Sequence, residues 1–269
     1  MNIKEYETHF HLEETFWWFK GRRLISFVLL NKYFKNKTEK KILDAGCGTG
    51  INLKLLEKFG DVNGADISQE ALKFCKDRGF KNLNLSSVEN LKYPNNSFDI
   101  VTSFDVLYCV KNDFQALKEM YRVCKPGAII LITSPAVPFL YSKLKTEHDL
   151  AAHTVRRYSK KEMKLKVKSA GFKIKRLTHM NMFLCPILIM IRVIKSVLNP
   201  NVKKSESKSD LKVLPKPING FLFLILKLEA IMIKSFDLPF GLTLICVAQK
   251  PLEERKERKQ PHICILGDE

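Results

Sequence analysis

The sequence lacks the cysteine and histidine patterns that are typical of metal and redox sites. Its seven cysteines include no C-x-x-C pair, and no cluster of cysteine and histidine has the spacing of a zinc site. We interpret this odd number of cysteines as reduced thiols in a cytoplasmic protein. Residues Met1–Tyr6 contain no apolar run, so a secretory signal is not expected.

Acidic residues are scarce as well. The 269-residue chain has 28 Asp and Glu against 46 Lys and Arg, which gives a net charge of +18. In residues 156–212, 16 basic residues stand against 3 acidic ones. This excess favours an anionic partner, such as a membrane surface, a nucleic acid or a phosphorylated substrate. A lysine-rich face that contacts only solvent explains it equally well. The length is sufficient for one domain with a substantial core.

Glycine is uncommon, at 12 residues, yet three glycines are concentrated in residues 41–50, Lys-Ile-Leu-Asp-Ala-Gly-Cys-Gly-Thr-Gly. We predict that an apolar strand ends here in a turn and that a helix follows. Gly46, Gly48 and Gly50 let the backbone turn tightly and approach a ligand, and the helix N-terminus favours negative charge. The spacing is G-x-G-x-G, not the G-x-G-x-x-G of dinucleotide sites. The preceding Asp44 favours a ligand that carries a cationic amine.

Residues 44–50 resemble motif I of the class I methyltransferases that depend on S-adenosylmethionine (SAM). Asp66, an acid at the end of the next predicted strand, strengthens the resemblance. The resemblance implies that SAM is the cofactor and S-adenosylhomocysteine the product. It also implies that the motif I glycines line the methionine half of SAM and that Asp66 holds the ribose hydroxyls. The expected cofactor-binding residues are Asp44, Ala45, Gly46, Cys47, Gly48, Gly50, Asp66, Ile67, Val88, Glu89, Phe104, Leu107, Arg22 and Arg23.

The adenine side of the expected site departs from the family pattern. Relatives often have an acid that bonds the adenine amino group where this chain has Ser87. We expect Glu89 or the backbone N–H of Val88 to replace it. Phe104 and Leu107 are expected to wall the pocket, because open α/β sheets bind ligands beyond the carboxyl ends of their strands.

The segment before the first strand is rich in aromatic residues. The spacing of apolar residues in 12–30 predicts one or two amphipathic helices, and Phe and Trp occupy positions 16–19. In many members of the family such a helix closes over the cofactor, so residues 1–38 are expected to form a cap. The stretch also resembles a subgroup often encoded among surface-glycan genes. Arg22 or Arg23 is expected to pair with the SAM carboxylate; the alternative leaves both arginines in solvent.

The alternation of strands and helices predicts a doubly wound, Rossmann-like α/β sheet, and the resemblance implies seven strands. The core is expected at residues 39–180 and 241–250, with strand six antiparallel to strand seven. Residues 181–240 are predicted to be a helical insertion between these strands. Charged residues interrupt its two apolar parts, so neither has the roughly 20 apolar residues of a membrane span. Four roles stay open for these two apolar parts: helices at a membrane surface, a lid over the acceptor, a face of a dimer, or helices that pack on the sheet. Residues 251–269 are expected to be a mobile tail.

Residues 135–158 follow the fifth predicted strand, are dense in polar groups, and are expected to contact the methyl acceptor. A neutral histidine can accept a proton from an acceptor hydroxyl near neutral pH. The candidate catalytic residues are His153, His148 and Tyr158, and the candidate substrate residues are Arg156, Arg157 and Glu147. The two arginines would bind an anionic acceptor or pair with Glu147 and Asp149. No metal is predicted.

These observations predict a cytoplasmic SAM-dependent methyltransferase that methylates a hydroxyl of a small or lipid-linked acceptor, such as a glycan intermediate or a quinone-like lipid. Peripheral attachment to the inner face of an anionic membrane is a further expectation. One alternative is a nucleic-acid methyltransferase, which is disfavoured because no base-flipping motif is present. Another is a non-catalytic, membrane-associated SAM-binding protein. The acceptor and the oligomeric state stay open.

Overall fold

The fold is built on one sheet. The computed structural model describes residues 3–34, 40–142, 154–198 and 214–252. The strands in these ranges are β1 Lys40–Ala45, β2 Gly60–Asp66, β3 Leu83–Leu85, β4 Phe98–Phe104, β5 Cys124–Pro135, β6 Lys173–Met180 and β7 Thr243–Gln249. The helices in them are α1 Ile3–Leu12, α2 Trp17–Tyr33, α3 Ile51–Leu56, α4 Gln69–Asp77, α5 Asp113–Val123, α6 Pro138–Ser142, α7 Lys160–Ser169, α8 Cys185–Leu198 and α9 Lys216–Ser235.

The strands are arranged in the order β3-β2-β1-β4-β5-β7-β6. Neighbours from β3 to β5 pair in parallel, whereas β7 pairs antiparallel with both β5 and β6. This confirms the predicted doubly wound sheet, including the antiparallel pairing of the last two strands. The order reverses between β1 and β4, and open α/β sheets bind ligands at such a switch point.

Helices cover both faces of the sheet, which explains why the central strands are nearly continuously apolar. One buried cluster joins the sheet to α5 and α7 through Leu117 and Met163. The other joins it to α2, α3 and α9 through residues such as Ile25, Leu53 and Ile233. The sheet is therefore fixed from both sides, and its carboxyl edge is a rigid platform for a site.

The predicted helical insertion between β6 and β7 consists of α8 and α9. Gly21 of α2 allows α9 to approach closely, because a Cβ at this position would lie 2.0 Å from Cδ1 of Leu226. Glu229 of α9 is fully buried and accepts hydrogen bonds from the backbone N–H groups of Asn181 (2.6 Å) and Phe183 (3.0 Å). Burial raises the pKa of Glu229. One side of α9 is thus part of the core. In the described part of the chain, no helix has the length and apolar character to cross a membrane.

Gly21 provides a test of the packing between α2 and α9. We expect Gly21→Ala to destabilise the protein by about 1–3 kcal/mol, because the new methyl group overpacks against Leu226. Gly220→Ala is the matched control, since Gly220 also lies in a helix but a Cβ added there would meet no atom within 4 Å. That variant should gain up to about 1 kcal/mol from helix propensity. Urea unfolding measures both, and equal effects of the two substitutions would contradict the packing.

Candidate functional site

The glycine-rich turn lies at the switch point, directly after β1. Gly46, Gly48 and Gly50 have φ angles of 85°, 55° and 86°, which is the left-handed region that favours glycine. A Cβ on Gly46 would lie 2.3 Å from Cγ2 of Val106. All three positions therefore favour glycine for their backbone conformation, which agrees with the predicted tight turn, and Gly46 also needs it for packing.

Asp66 lies opposite this turn at the end of β2. Its carboxylate accepts hydrogen bonds from the backbone N–H of Gly48 (2.9 Å) and of Ser68 (2.9 Å). Burial raises the pKa of Asp66 despite these bonds. The adjacent Ile67 is 75% exposed. Asp66 and the motif I turn are thus held as one unit.

Asp44, at the end of β1, is completely buried beneath the turn. Its Oδ1 accepts a hydrogen bond from the Thr102 hydroxyl (2.7 Å), whereas its Oδ2 has no hydrogen-bond partner among the described residues. Burial raises the pKa of Asp44 to about 7. A buried carboxylate oxygen without a donor is costly unless a ligand supplies one. This oxygen fits the ammonium group of an amino-acid ligand.

Two arginines of α2 face the same region from the opposite side. Arg22 is 6% exposed, forms an ion pair with Asp105 after β4, and lies over the ring of Phe104. Its Nε and the Nη1 of Arg23 have no hydrogen-bond partner among the described residues. Burial lowers the pKa of Arg23 to about 10. Neither arginine lies free in solvent, and both have donors that fit a carboxylate.

Two side chains in and just after α1, which no sequence pattern indicated, also lie near the site. Glu13 accepts a hydrogen bond from the Thr49 hydroxyl in the motif I turn and lies 3.5 Å from Nη2 of Arg78. Tyr6 is 7% exposed, and burial together with the charge of Asp66 raises its pKa to about 12. The pattern of charges in residues 3–14 gave no sign that these two side chains would meet the turn.

Two residues that were expected to contact the cofactor, Glu89 and Leu107, have other contacts in the structure. Glu89 accepts a hydrogen bond from the backbone N–H of Asn112 (2.6 Å), so its carboxylate already joins two loops. Leu107 is 1% exposed and packs in the core, as does Val88. The structure therefore gives Leu107 a packing role, because its side chain is enclosed by the core cluster. Phe104 is also buried, but beside Arg22.

On the acceptor side, the expected role of Tyr158 as a catalytic group does not agree with its position. Its hydroxyl is buried, lies 2.6 Å from the Asp113 carboxylate and 3.1 Å from the Leu107 carbonyl, and has its pKa raised by burial. Arg156 lies 3.3 Å from Asp113 and donates to the Lys111 carbonyl. Tyr158 and Arg156 thus fix this segment to α5, because Asp113 holds both.

Arg157 is also buried, and its Nη1 lies 3.4 Å from the Ala136 carbonyl. Glu147, His148, Asp149 and His153 lie outside the described residues. Among the residues that the structure covers, no group of three His, Cys, Asp or Glu side chains could hold a metal ion.

The topology and the turn together define the class of the protein. A sheet in which β7 is reversed and lies between β5 and β6, a G-x-G-x-G turn after β1 and an acid at the end of β2 are the features of a class I methyltransferase fold. Asp44, Asp66 and the arginines of α2 provide the polar groups that an amino-acid nucleoside would need.

Comparison with known proteins agrees with this class. Residues 43–132 match the methyltransferase domain family. The chain is 37% identical over 110 residues to a demethylmenaquinone methyltransferase of Anoxybacillus flavithermus, a match that covers 37% of this chain and 46% of the relative. It is 39% identical over 95 residues to a tRNA (carboxymethyluridine(34)-5-O)-methyltransferase of Arabidopsis thaliana, which covers 34% of this chain and 23% of the relative. The chain thus spans less than half the length of either relative.

A solved structure shows the same fold over most of the chain. It is phosphoethanolamine N-methyltransferase 2 of Haemonchus contortus in complex with SAM, with a TM-score of 0.54 and 19% identity. The similarity covers 82% of this chain and 51% of the other. Residues 43–132 therefore match a methyltransferase domain, and they lie within a fold of the class I methyltransferase type. The resemblance to a subgroup from surface-glycan genes stays a prediction.

Asp66 provides the first test of the cofactor site. We expect Asp66→Ala to weaken SAM binding by about 10- to 100-fold, because hydrogen bonds to a charged group are lost. Asp61→Ala is the matched control, since Asp61 lies on the same strand but is exposed. Calorimetric titration measures both affinities, and an equal loss in the two variants would argue against the assigned role of Asp66.

Asp44 predicts a pH dependence of SAM binding. Burial raises the pKa of Asp44 to about 7 in the cofactor-free chain, so its carboxyl group is protonated below this pH. It must then lose that proton before it can pair with an ammonium group. SAM affinity should therefore fall as the pH falls through 7, approaching tenfold per pH unit. Titration in buffers of different ionisation enthalpy detects the released proton.

Asp44→Asn is the control for this pH dependence. The variant should bind SAM weakly and without proton release, since the amide does not titrate. A wild-type affinity that stays constant from about pH 6 to pH 8 would contradict the assigned state of Asp44.

Proposed function

We propose that the protein transfers the methyl group of SAM to a hydroxyl of a small or lipid-linked acceptor and releases S-adenosylhomocysteine. The observation that carries the cofactor half of this proposal is Oδ2 of Asp44 beneath the glycine turn, which has no hydrogen-bond partner in the described ranges, with Asp66 across from it. SAM supplies a methyl group on a sulfonium, which is a good leaving group, so positioning provides much of the catalysis.

Each end of SAM has a matching group in the chain. Asp66 would accept hydrogen bonds from the ribose hydroxyls, and Asp44 would accept one from the ammonium. Arg22 and Arg23 would hold the carboxylate, and this role is supported by Nε of Arg22 and Nη1 of Arg23, which lack a partner within the part of the chain that the structure describes. Binding of a carboxylate by Arg22 would compete with its ion pair to Asp105. The backbone N–H of Val88 fits the adenine contact better than Glu89, whose carboxylate is engaged by Asn112.

The acceptor half rests on the sequence of residues 143–153 and on the relatives. His153 and His148 stay the candidate bases for deprotonating an acceptor hydroxyl. Arg157 stays a candidate contact for an anionic acceptor, whereas Arg156 is occupied by Asp113. The relative named demethylmenaquinone methyltransferase supports a quinone-like lipid. A cytoplasmic location with peripheral attachment to a membrane is consistent with such an acceptor.

A nucleic-acid methyltransferase is the second candidate. It is favoured by the excess of basic residues in 156–212 and by the relative that is named a tRNA methyltransferase. Binding to tRNA that weakens steeply with added salt would support it. SAM binding without turnover on any acceptor would instead favour a non-catalytic SAM-binding protein.

The two histidines provide the test of the acceptor chemistry. We expect one of the variants His153→Ala and His148→Ala, the one that removes the base, to lower kcat by about 100-fold or more. Its affinity for SAM should be unchanged. His11→Ala is a control because His11 is exposed on α1. Transfer of labelled methyl from SAM into lipid extracts and tRNA, followed by mass spectrometry, identifies the acceptor and the methylated atom. Full activity of both histidine variants would remove the proposed base.

A further inference from the structure

The helix α9 has a second apolar side that faces away from the core. Its inner side, with Leu226, Ala230 and Ile233, is buried against the rest of the domain. The outer side repeats apolar residues at intervals of three and four, so they share one face of the helix. These residues are 49 to 63% exposed and are Ile218, Phe221, Leu224, Leu228 and Ile231.

The helix α8 is arranged in the same way. Its Leu188 packs inward on the cluster formed by Trp17, Leu184 and Leu226. An outer stripe of aliphatic side chains is 41 to 56% exposed and consists of Ile187, Met190, Ile191 and Ile194. Exposed apolar surface of this extent, contributed by two successive helices, is unusual for a face that contacts only water.

The charges around these stripes have one sign. In α8 and α9 the acidic residue of the sequence is Glu229, which is fully buried and bonded to backbone N–H groups. Lys216, Lys227 and Lys234 of α9 are all exposed. Apolar faces flanked by lysine and free of exposed acids are typical of helices that lie in the interface of an anionic bilayer.

A basic cleft lies at the end of the outer stripe of α9. Ser235 follows Ile231 by four residues, so it continues the same face, and it lines a cleft of about 280 Å³ with Lys32, Lys175 and Arg176. Arg176 is 7% exposed and donates from Nε to Asp237 (2.6 Å), but its Nη1 has no hydrogen-bond partner among the described residues. Asp237, whose side chain is 46% exposed, also lines the cleft. Because three basic residues stand against this one acid, the cleft still offers donors and a net positive charge to a phosphate group.

We propose that the outer faces of α8 and α9, with the basic cleft, dock the protein on an anionic lipid bilayer. A second copy of the chain fits the surface less well, because its net charge of +18 would bring like charges together. The docking surface does not depend on the proposed reaction. It is nevertheless joined to the cofactor side of the fold, since Asn219 of α9 bonds to the backbone of Thr15 and Trp17.

Vesicle flotation of the full chain tests the proposal. The protein should float with vesicles of phosphatidylcholine and phosphatidylglycerol, and much less with phosphatidylcholine alone. The double variant Leu228→Gln/Ile231→Gln should bind at least about tenfold more weakly, because two inserted aliphatic side chains are lost. Leu165→Gln is the matched control, since Leu165 is 57% exposed on α7, outside this surface. Lys32→Gln/Lys175→Gln should weaken binding to the anionic vesicles only.

The outcomes separate docking from the proposed reaction. Circular dichroism and SAM titration on the same samples show whether each variant is folded and binds cofactor, so a lost methyltransferase function would not be mistaken for lost docking. A folded wild type that binds SAM but does not float with anionic vesicles would overturn the proposal. A second result would also overturn it: a wild type that is dimeric in solution and does not float, and whose dimer is dissociated by Leu228→Gln/Ile231→Gln. That result would assign the face to a second copy of the chain.

Discussion

The cofactor end of the sheet depends on the hydrogen bond between the backbone N–H of Gly48 and the carboxylate of Asp66. This bond joins the turn after β1 to the end of β2, so two neighbouring strands present their carboxyl ends at a fixed separation. Because Asp66 also accepts from Ser68, which caps α4, the same carboxylate fixes the start of the next helix. The nucleoside half of the site therefore has little freedom before any ligand binds.

Three of the buried polar atoms that lack a hydrogen-bond partner among the described residues belong to Asp44, beneath this turn, and to two arginines of α2. Asp44 and Arg22 are buried, and Arg23 is half-buried; Oδ2 of Asp44 lacks a donor, and Nε of Arg22 and Nη1 of Arg23 lack acceptors, among the described residues. Buried polar groups of this kind lower stability unless a ligand satisfies them. The domain thus keeps one acceptor and two donors that a zwitterionic amino-acid group would satisfy.

The insertion and the N-terminal helices form one connected layer. Gly21 brings α9 onto α2, Asn219 bonds to the turn that precedes α2, and Glu13 reaches the motif I turn from α1. The segment that lies against the cofactor site is therefore in direct contact with α9. This connection gives a physical route by which a surface bound to the insertion could affect the site.

Sequence alone indicated the strands, the alternating helices and the glycine turn, because these depend on local backbone conformation and on the period of apolar residues. The antiparallel pairing of the last two strands followed from the family resemblance, and the hydrogen bond from Gly48 to Asp66 was not predicted. The sequence also placed the insertion between β6 and β7. It did not determine the partners of charged side chains: Glu89 bonds to Asn112, Tyr158 and Arg156 are held by Asp113, and Glu229 is buried. Each of these pairs joins residues that are far apart along the chain. Only the tertiary structure decided which charges are enclosed and which apolar faces of α8 and α9 stay exposed, since both follow from how the helices pack and not from the composition of each helix.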